Sequence, residues 1–553
     1  MKPRSRISIF TGLVVLIITG ASLRMIHIGT PSMWVDEANT VFSAGSVLET
    51  GMPYMPTGNI YGRAPLYTYS VALTYRILGV SLENARLTSA IFGILCIPLV
   101  YAIAALLFGR RTALISALFV TISFYEIGWS RVARMYTLFQ FFTLLSVLFF
   151  ILGFERQILP AAGRKKTSWT IFRIPFLEGV DIVALLLFFL MTTICYFSVH
   201  RLTAFTVAAL IFYILIRCLT TALGKSGSGR WLNKYSLSSM VILMAGVMAV
   251  IKMPSVIGSV AQFMEYTPAW AQPGSSASDP WILFRFLFSW YRFPLGLLFL
   301  WGTVQVVKRK ASLGWMPVLL IFVPLVFLSF VFTHRHAKYL FGVYPFFLML
   351  AAYGLYCLLN VSGSTSWAKL RIAPKYMKIV IPAVTVLVFL LSPWVRIAKN
   401  IPWQEDGKPN GAVHFNEWRE AAQILYQAMK PGDLVICSLP EVLLYYNIKA
   451  DWALNGSNLA LSSRRWITDG QDRYMEVYSG RPLIESLNRL AELVETHARG
   501  WILITDYHFN EPIITPVAIR EYITTHLPPP RLTKNGTIHI YSWDHITGED
   551  HEF

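Results

Sequence analysis

Along this chain, long apolar stretches recur between short polar segments, and their lengths set the first reading. A helix needs about 20 mostly apolar residues to cross a bilayer. The pattern predicts such spans near 8–27, 86–108, 112–127, 135–154, 180–197, 202–217, 238–253, 283–306, 314–332, 339–359 and 379–395, eleven in all. Residues 28 to 85 are neither linker nor span. Two apolar stretches there, Ala38 to Leu48 and Leu66 to Leu78, flank Gly51, Pro53, Pro56 and Gly58, which predicts two short helices lying along the membrane interface around a turn. Pro254 to Pro280, with Pro268, Pro273, Gly274 and a serine-rich run, reads as a loop holding Glu265, Tyr266 and Trp270, either a lid or a plain connector. After Pro402 the pattern becomes that of a soluble domain. Asn416 to Met429 has helical spacing with a cap at Asn416, a Pro431-Gly-Asp433 turn leads into a strand at Leu434 to Ser438, and Trp501 to Thr505 and Thr537 to Tyr541 are further strands. No internal repeat of solenoid or propeller period is present.

Composition agrees with a polytopic membrane protein: 553 residues, 55% hydrophobic and 14% charged, with a mean hydropathy of +0.51. The loops then give the orientation, because short cytoplasmic loops are enriched in Lys and Arg. Lys2, Arg4 and Arg6 precede the first span, and Arg110 and Arg111 follow the second. Arg156, Arg164, Lys165, Lys166 and Arg173 follow the fourth, and Arg217, Lys225, Arg230 and Lys234 the sixth. Lys308, Arg309 and Lys310 follow the eighth, and Lys369, Arg371, Lys375 and Lys378 the tenth. All fall on one side, so the N-terminus is expected in the cytoplasm and the soluble domain outside. The expected division is a membrane domain at 1–396 and an extracytoplasmic α/β domain at 397–553. The first apolar stretch lacks a convincing cleavage site at Ala21-Ser-Leu-Arg24 and reads as a retained helix. Much of the +18 formal charge belongs to this topology and to anionic lipid headgroups, and nucleic acid is not an expected partner. The five cysteines, Cys96, Cys195, Cys218, Cys357 and Cys437, have neither a CxxC nor a ligand spacing.

The candidate chemistry gathers at the outer ends of the spans. Pro31-Ser-Met-Trp-Val-Asp-Glu-Ala-Asn39 sets an acidic pair, Asp36 and Glu37, just beyond the first span. Charge this near hydrocarbon is costly unless solvated, paired or used. Around the same face lie Tyr61-Gly-Arg-Ala-Pro-Leu-Tyr67, the loop from Tyr125 and Glu126 to Tyr136, the pair His200-Arg201, and Thr333-His-Arg-His-Ala-Lys-Tyr339. Arg63, Arg131, Arg134, Arg201, Arg335 and Lys338 sit where the topology rule disfavours cations, so an anionic ligand there would explain them, and Arg suits a phosphate. Blander readings stand beside these. Arg63, Arg86 and Lys338 could snorkel to the interface, and His334 and His336 could be polar fillers. Tyr136, Tyr339 and Tyr344 could be interface aromatics. Arg131 and Arg134, three apart at a helix start, would repel one another unless one has an anionic partner, either Glu126 or a ligand.

Four elements in this order carry a family resemblance: Trp34-Val-Asp-Glu37 after the first span, the basic-x-Pro-Leu-Tyr element at Arg63 to Tyr67, Ser130-Arg-Val-Ala-Arg-Met-Tyr136, and His336-Ala-Lys-Tyr-Leu340 before a span with Pro345. They resemble the polytopic GT-C glycosyltransferases that use polyprenyl-phosphate sugars, above all the group holding protein O-mannosyltransferases and the lipid A aminoarabinose transferases. The resemblance covers roughly residues 8 to 360, and more loosely the C-terminal domain. It implies a polytopic α-helical membrane protein of about eleven transmembrane helices with a C-terminal soluble α/β domain. It also implies sugar transfer from a polyprenyl-phosphate donor to a glycan, lipid or protein acceptor outside the cell membrane, with inversion by one direct displacement. Asp36 would be the catalytic carboxylate and Glu37 its supporting neighbour. Arg63, Arg201, Arg335 and Lys338 would hold the donor phosphate, and Trp34, Tyr61, Tyr67, Glu126, Arg131, Arg134, Tyr136, His200, His336 and Tyr339 would line the cavity. No loop is long enough for the β-trefoil insert of many protein mannosyltransferases, which favours a prokaryotic enzyme, and no Trp-Trp-Asp signature is present. Neither a metal nor another cofactor is expected. A transporter or flippase of polyprenyl-phosphate lipids is the competing class, against which the sequence shows no half-repeat. A non-catalytic assembly protein is a third, for which so many spans are excessive.

Overall fold

A computed structural model describes residues 3–155, 180–223, 234–251, 279–289, 292–309, 312–332, 335–360, 416–454, 466–468, 474–484, 486–510 and 514–545. The expected lid around Glu265, Tyr266 and Trp270, the last predicted span at 379–395, and His334 lie outside these residues.

The bundle is built from α1 (Pro3–Met25), α4 (Leu82–Phe108), α5 (Arg110–Ile122), α6 (Phe124–Ser130), α7 (Tyr136–Phe154), α8 (Ile182–Ser198), α9 (Thr203–Leu223) and α10 (Lys234–Ile251), followed by α11 (Ile282–Leu287), α12 (Phe293–Lys308), α13 (Trp315–Val326) and α14 (Tyr344–Asn360). In hydrocarbon every backbone N–H and C=O must be satisfied within the chain, and runs of Leu, Ile, Phe and Val do so as helices. Among the described residues α4, α7 and α9 are each long and apolar enough to cross a membrane, and α5 with α6 passes as one span bent by 56°. Helices α2 (Val35–Thr50) and α3 (Pro65–Leu78) are the two short elements expected between the first spans, α2 ending at Gly51 with φ 78°.

Two predicted spans turn out to be broken, and a third is continuous but irregular. Near 112–127 the chain parts at Ser123, which is extended (φ −63°, ψ 120°) and whose hydroxyl accepts the Glu126 N–H at 3.5 Å. The freed carbonyls at the end of α5 do not stay empty. Arg24, fully buried in the last turn of α1, donates to the carbonyls of Val120 and Thr121 at 3.1 and 3.2 Å and to the Ser130 hydroxyl at 3.2 Å. A cation at a helix C-terminus also suits the helix dipole. Arg131 returns the contact, donating to the Arg24, Ile26 and His27 carbonyls at the end of α1. The span near 283–306 divides into α11 and α12, with Pro294 in the first turn of α12, where its missing N–H costs nothing. Arg292 fills the gap by donating to the Phe286 carbonyl at 3.0 Å. In the span near 314–332, Pro324 withholds an N–H and α13 runs on into a π turn, Phe327–Val331.

The C-terminal segment forms a six-stranded sheet of order β5-β2-β1-β6-β8-β7. Its strands are β1 (Leu434–Cys437), β2 (Trp452–Leu454), β5 (Leu483–Ile484), β6 (Arg499–Thr505), β7 (Arg531–Leu532) and β8 (Ile538–Asp544), with a separate pair β3 (Trp466–Thr468) and β4 (Tyr474–Glu476). Strands β5, β2, β1 and β6 are parallel, while β8 pairs antiparallel to β6 and β7. The helix expected from Asn416 is α15 (Trp418–Ala428) and begins later, with Glu417 before it. Glu417 spends its carboxylate on the Asn535 N–H and side-chain amide, at 2.7 and 2.8 Å, and not on its own helix. Arg419 donates to the Gly29 and Thr30 carbonyls, at 2.9 and 2.8 Å, and the Tyr446 hydroxyl accepts the Met33 N–H at 3.0 Å. The sheet is thereby tied to the loop leading into α2.

Helices α12 and α14 touch through Gly302 and Gly354, where an added Cβ would strike the Leu350 and Leu298 carbonyls respectively. Small residues at such crossings let backbones approach, and overpacking costs about 1–3 kcal/mol. Gly302→Ala and Gly354→Ala are each expected to lower the melting temperature of the detergent-purified protein; an unshifted transition in both would contradict this packing.

Candidate active site

The acidic pair opens α2, and its two members have opposite environments. Glu37 is fully buried against Arg86, also fully buried, in a two-pronged ion pair with Nε–Oε1 2.8 Å and Nη2–Oε2 2.7 Å. The remaining Arg86 N–H groups go to the carbonyls of Ile28 at 3.0 Å and of Pro31 and Ser32 at 2.9 Å, so all its donors are used. Glu37 also accepts the N–H of Ala133 at 2.7 Å and of Trp34 at 3.0 Å. Glu37 therefore presents no oxygen to a substrate. It ties α4, the loop before α2 and the 131–134 turn to one point, and its place is structural support for Asp36.

Asp36 faces the other way, with its side chain 27% exposed. Arg134, buried in the turn between α6 and α7, lies 3.6 Å from the Asp36 carboxylate through Nη2, while its Nη1 donates to the Asp36 carbonyl at 3.0 Å and to the Tyr61 hydroxyl at 2.8 Å. Desolvation opposes the Arg134 charge, but Asp36, Tyr61 and Tyr136 outweigh it and raise the guanidinium above its ordinary pKa. The anionic partner of the Arg131–Arg134 pair is thus Asp36 for Arg134, whereas Arg131 is hydrogen-bonded to helix-end carbonyls. The two do not share a helix face, because both lie in a turn.

Around Asp36 the structure gathers Trp34, Tyr61, Arg63, Tyr136, His200, Lys338 and Tyr339. The Lys338 ammonium sits 5.7 Å from the Trp34 ring centre and 5.9 Å from that of Tyr339, within cation–π range. Trp34 packs edge-on to Trp129 at 6.0 Å, which in turn meets Tyr136 at 4.6 Å. For exposed Arg63, desolvation opposes the charge, Tyr478 and Tyr61 favour it, Arg134 opposes it and Asp36 favours it; the balance lies above the ordinary guanidinium value. His200, in the turn between α8 and α9, packs on Tyr136 and Phe139 at 5.9 and 5.2 Å. Desolvation first, then Arg134, Lys338 and Arg63, push its pKa down to about 3. It is a neutral imidazole at pH 7.

Other expected site residues lie elsewhere. Tyr67 is fully buried and shares a 2.6 Å hydrogen bond with Ser89. Glu126 is buried and accepts from the Gln140 amide at 3.0 Å, behind the site near Arg24. Arg335 donates from Nε to the Ser329 carbonyl at 2.7 Å, steadying the π turn, His336 packs edge-on to Tyr339 at 5.9 Å, and Arg201 is exposed in the turn before α9. Arg86 and Tyr478 are additions. An arginine near the start of a span is the one sequence signal for Arg86, and nothing local marks the Tyr478 turn, which docks on Thr57 from the far end of the chain. Among the described residues no group of three or more His, Cys, Asp and Glu side chains could hold a metal ion.

Residues 62–163 match the family described as dolichyl-phosphate-mannose-protein mannosyltransferase. No curated protein matches the chain. Among solved structures, ArnT from Cupriavidus metallidurans in the apo state is similar over 96% of this chain and 98% of its own, at 12% identity and a TM-score of 0.56. The same protein bound to undecaprenyl phosphate gives the same figures, 12% and 0.56 over 96% and 98%. The Archaeoglobus fulgidus oligosaccharyltransferase in the apo form is similar over 96% of this chain and 74% of its own, at 11% identity and a TM-score of 0.56. The fold is that of the GT-C membrane glycosyltransferases.

Removing one partner of a buried ion pair costs about 3–5 kcal/mol. Glu37→Gln is accordingly expected to lower the melting temperature sharply, and equal melting of variant and parent would show that the pair does not hold the site. For His200 the folded pKa of about 3 lies below the 6.5 of the free imidazole, so the unfolded chain takes up this proton first. Its effect is to reduce stability as pH falls from about 6.5 towards 3, with none above. His200→Gln should flatten that acid limb of a melting-temperature profile and leave the limb above pH 7 unchanged.

Proposed function

We propose that the chain is an inverting glycosyltransferase that moves a sugar from a polyprenyl-phosphate-linked donor to an acceptor on the extracytoplasmic side of the membrane. The observation that carries this reading is the partly exposed Asp36 carboxylate, held by Arg134, with Arg63 within its electrostatic reach and Lys338 over the neighbouring Trp34 ring. A lone carboxylate among cations suits a reaction that takes a proton and releases a phosphate. With a hydroxyl acceptor, Asp36 accepts the hydroxyl proton as the acceptor oxygen bonds to the anomeric carbon. The bond from that carbon to the phosphate oxygen breaks with its electron pair, and polyprenyl phosphate leaves. Arg63 and Lys338 stabilise the charge that grows on the departing phosphate without having to be assembled at each turnover. Arg201, exposed beside His200, and Arg335, next to the 336–340 segment, are assigned to the same phosphate. The aromatic rings offer apolar faces to sugar. This route requires no metal and no second nucleophile.

Membranes containing the chain should transfer label from a radiolabelled polyprenyl-phosphate sugar and release lipid phosphate. Asp36→Asn keeps the size and removes the base, and the transfer rate is expected to fall about 10²–10⁴-fold at equal abundance. Binding of the lipid by parent and variant with cleavage by neither would favour a polyprenyl-phosphate transporter instead.

A further inference from the structure

We infer that Tyr125 on α6 and Gln140 on α7 are positioning residues for Lys338, because they hold the backbone carbonyls before and after it, those of Ala337 and Phe341. This rests on the assignment of Lys338 to the donor phosphate above. Lys338 lies in a single 3₁₀ turn, Ala337–Leu340, between the π turn and α14. Within it the Tyr339 N–H donates to the His336 carbonyl at 3.0 Å and the Phe341 N–H to the Lys338 carbonyl at 3.2 Å. So short a 3₁₀ helix, with its poorer hydrogen-bond geometry, holds itself weakly. Its order comes from outside. The hydroxyl of buried Tyr125 donates to the Ala337 carbonyl at 2.7 Å, and the amide of buried Gln140 donates to the Phe341 carbonyl at 2.8 Å. The second N–H of the same amide goes to the Glu126 carboxyl at 3.0 Å, so both of its donors are spent and its orientation is fixed.

The break at Ser123 gives α6 this role. It bends α6 by 56° from α5, and Tyr125 and Trp129, four apart, share one face of the short helix. Tyr125 is enclosed by the rings of Phe286, Phe341 and Tyr344 at 4.8, 5.3 and 5.0 Å, which set the direction of its hydroxyl. Trp129 meets Phe341 at 6.3 Å and Trp34 at 6.0 Å, and Trp34 is one of the two rings beside the Lys338 ammonium. One half-span therefore sets both the backbone of Lys338 and a ring against its side chain. From α7, the Phe139 ring lies so close to Gly342 that an added Cβ would strike it. A lysine has many rotamers, and a cation–π contact alone narrows them only weakly. With its backbone pinned at Ala337 and Phe341, the ammonium starts from one place, which is what a preorganised phosphate site needs. Tyr125 and Gln140 are buried behind the turn and act through Lys338, not on the donor itself.

The test uses the full chain in detergent and a polyprenyl phosphate of defined length as the probe, its Kd measured for the parent, Lys338→Ala, Tyr125→Phe, Gln140→Met and each of the last two combined with Lys338→Ala. Tyr125→Phe keeps the ring and removes the bond to Ala337, and Gln140→Met keeps the length and removes the bond to Phe341, so the turn is released from each helix separately. Each is expected to weaken binding about three- to tenfold, the range of one hydrogen-bond-sized interaction, and to add nothing once Lys338 is gone. Lys338→Ala should weaken binding at least as much. A merely structural side chain would move the melting temperature and leave Kd alone. A residue whose variant leaves Kd unchanged, or whose loss adds to that of Lys338→Ala, has no positioning role, while the donor-site assignment stands. If Lys338→Ala leaves binding unchanged, the assignment of Lys338 to the donor phosphate itself fails and the inference fails with it.

Discussion

A guanidinium and a carboxylate buried without water must neutralise one another, and the Arg86–Glu37 pair does so while holding three chain segments at one point. Such a pair is poor evidence for net stability, since desolvation offsets much of the attraction. Its value here is geometric. With every N–H of Arg86 and the Glu37 oxygens all engaged, the start of α2 has a single position relative to α4 and to the turn bearing Arg134. Asp36 inherits that position, and its neighbour's lack of freedom is what leaves it the one open carboxylate of the two.

A second layer of arginines does the corresponding work for broken helices. Arg24 covers the freed carbonyls of α5, Arg131 those of α1, and Arg292 the end of α11. Irregular backbone within an apolar bundle survives only where its polar groups find partners inside the protein. These cations are therefore part of the fold, although Arg131 sits at a span end where a ligand-binding role was equally open. Arg134 pairs with Asp36 directly, Arg63 feels its charge, and Lys338 lies over the Trp34 ring beside it.

Much of the architecture was legible because the membrane imposes a simple code. Several apolar helices of the bundle, the two short helices α2 and α3 and the strands at Leu434, Trp501 and Thr537 follow from runs and periods of apolar residues. The breaks at Ser123 and Pro294 were not, since apolar content continues through them and only tertiary partners such as Arg24 make the break affordable. The late start of α15 has a similar origin, with Glu417 drawn to Asn535. At the site, Asp36, Arg134, Tyr61, Lys338 and His200 come together from motifs that the sequence already grouped. Tyr67, Glu126 and Arg131 share those motifs but turn inwards, because each finds its partner behind the site: Ser89, Gln140 and the carbonyls at the end of α1. Arg86 owes its importance to Glu37, far away in sequence, which no local pattern encodes.

The loop before α2 takes its hydrogen bonds from Arg419 and Tyr446, nearly four hundred residues later. Synthesis proceeds at about 5–20 residues per second, so roughly 20–80 s separate the emergence of that loop from the arrival of its partners. Throughout that interval the nascent chain has its first spans in place while the Gly29, Thr30 and Met33 backbone lacks those bonds. Completion of the loop is thus an event of late biogenesis, and the segment that carries Asp36 reaches its finished setting only after the chain has been translated past Tyr446.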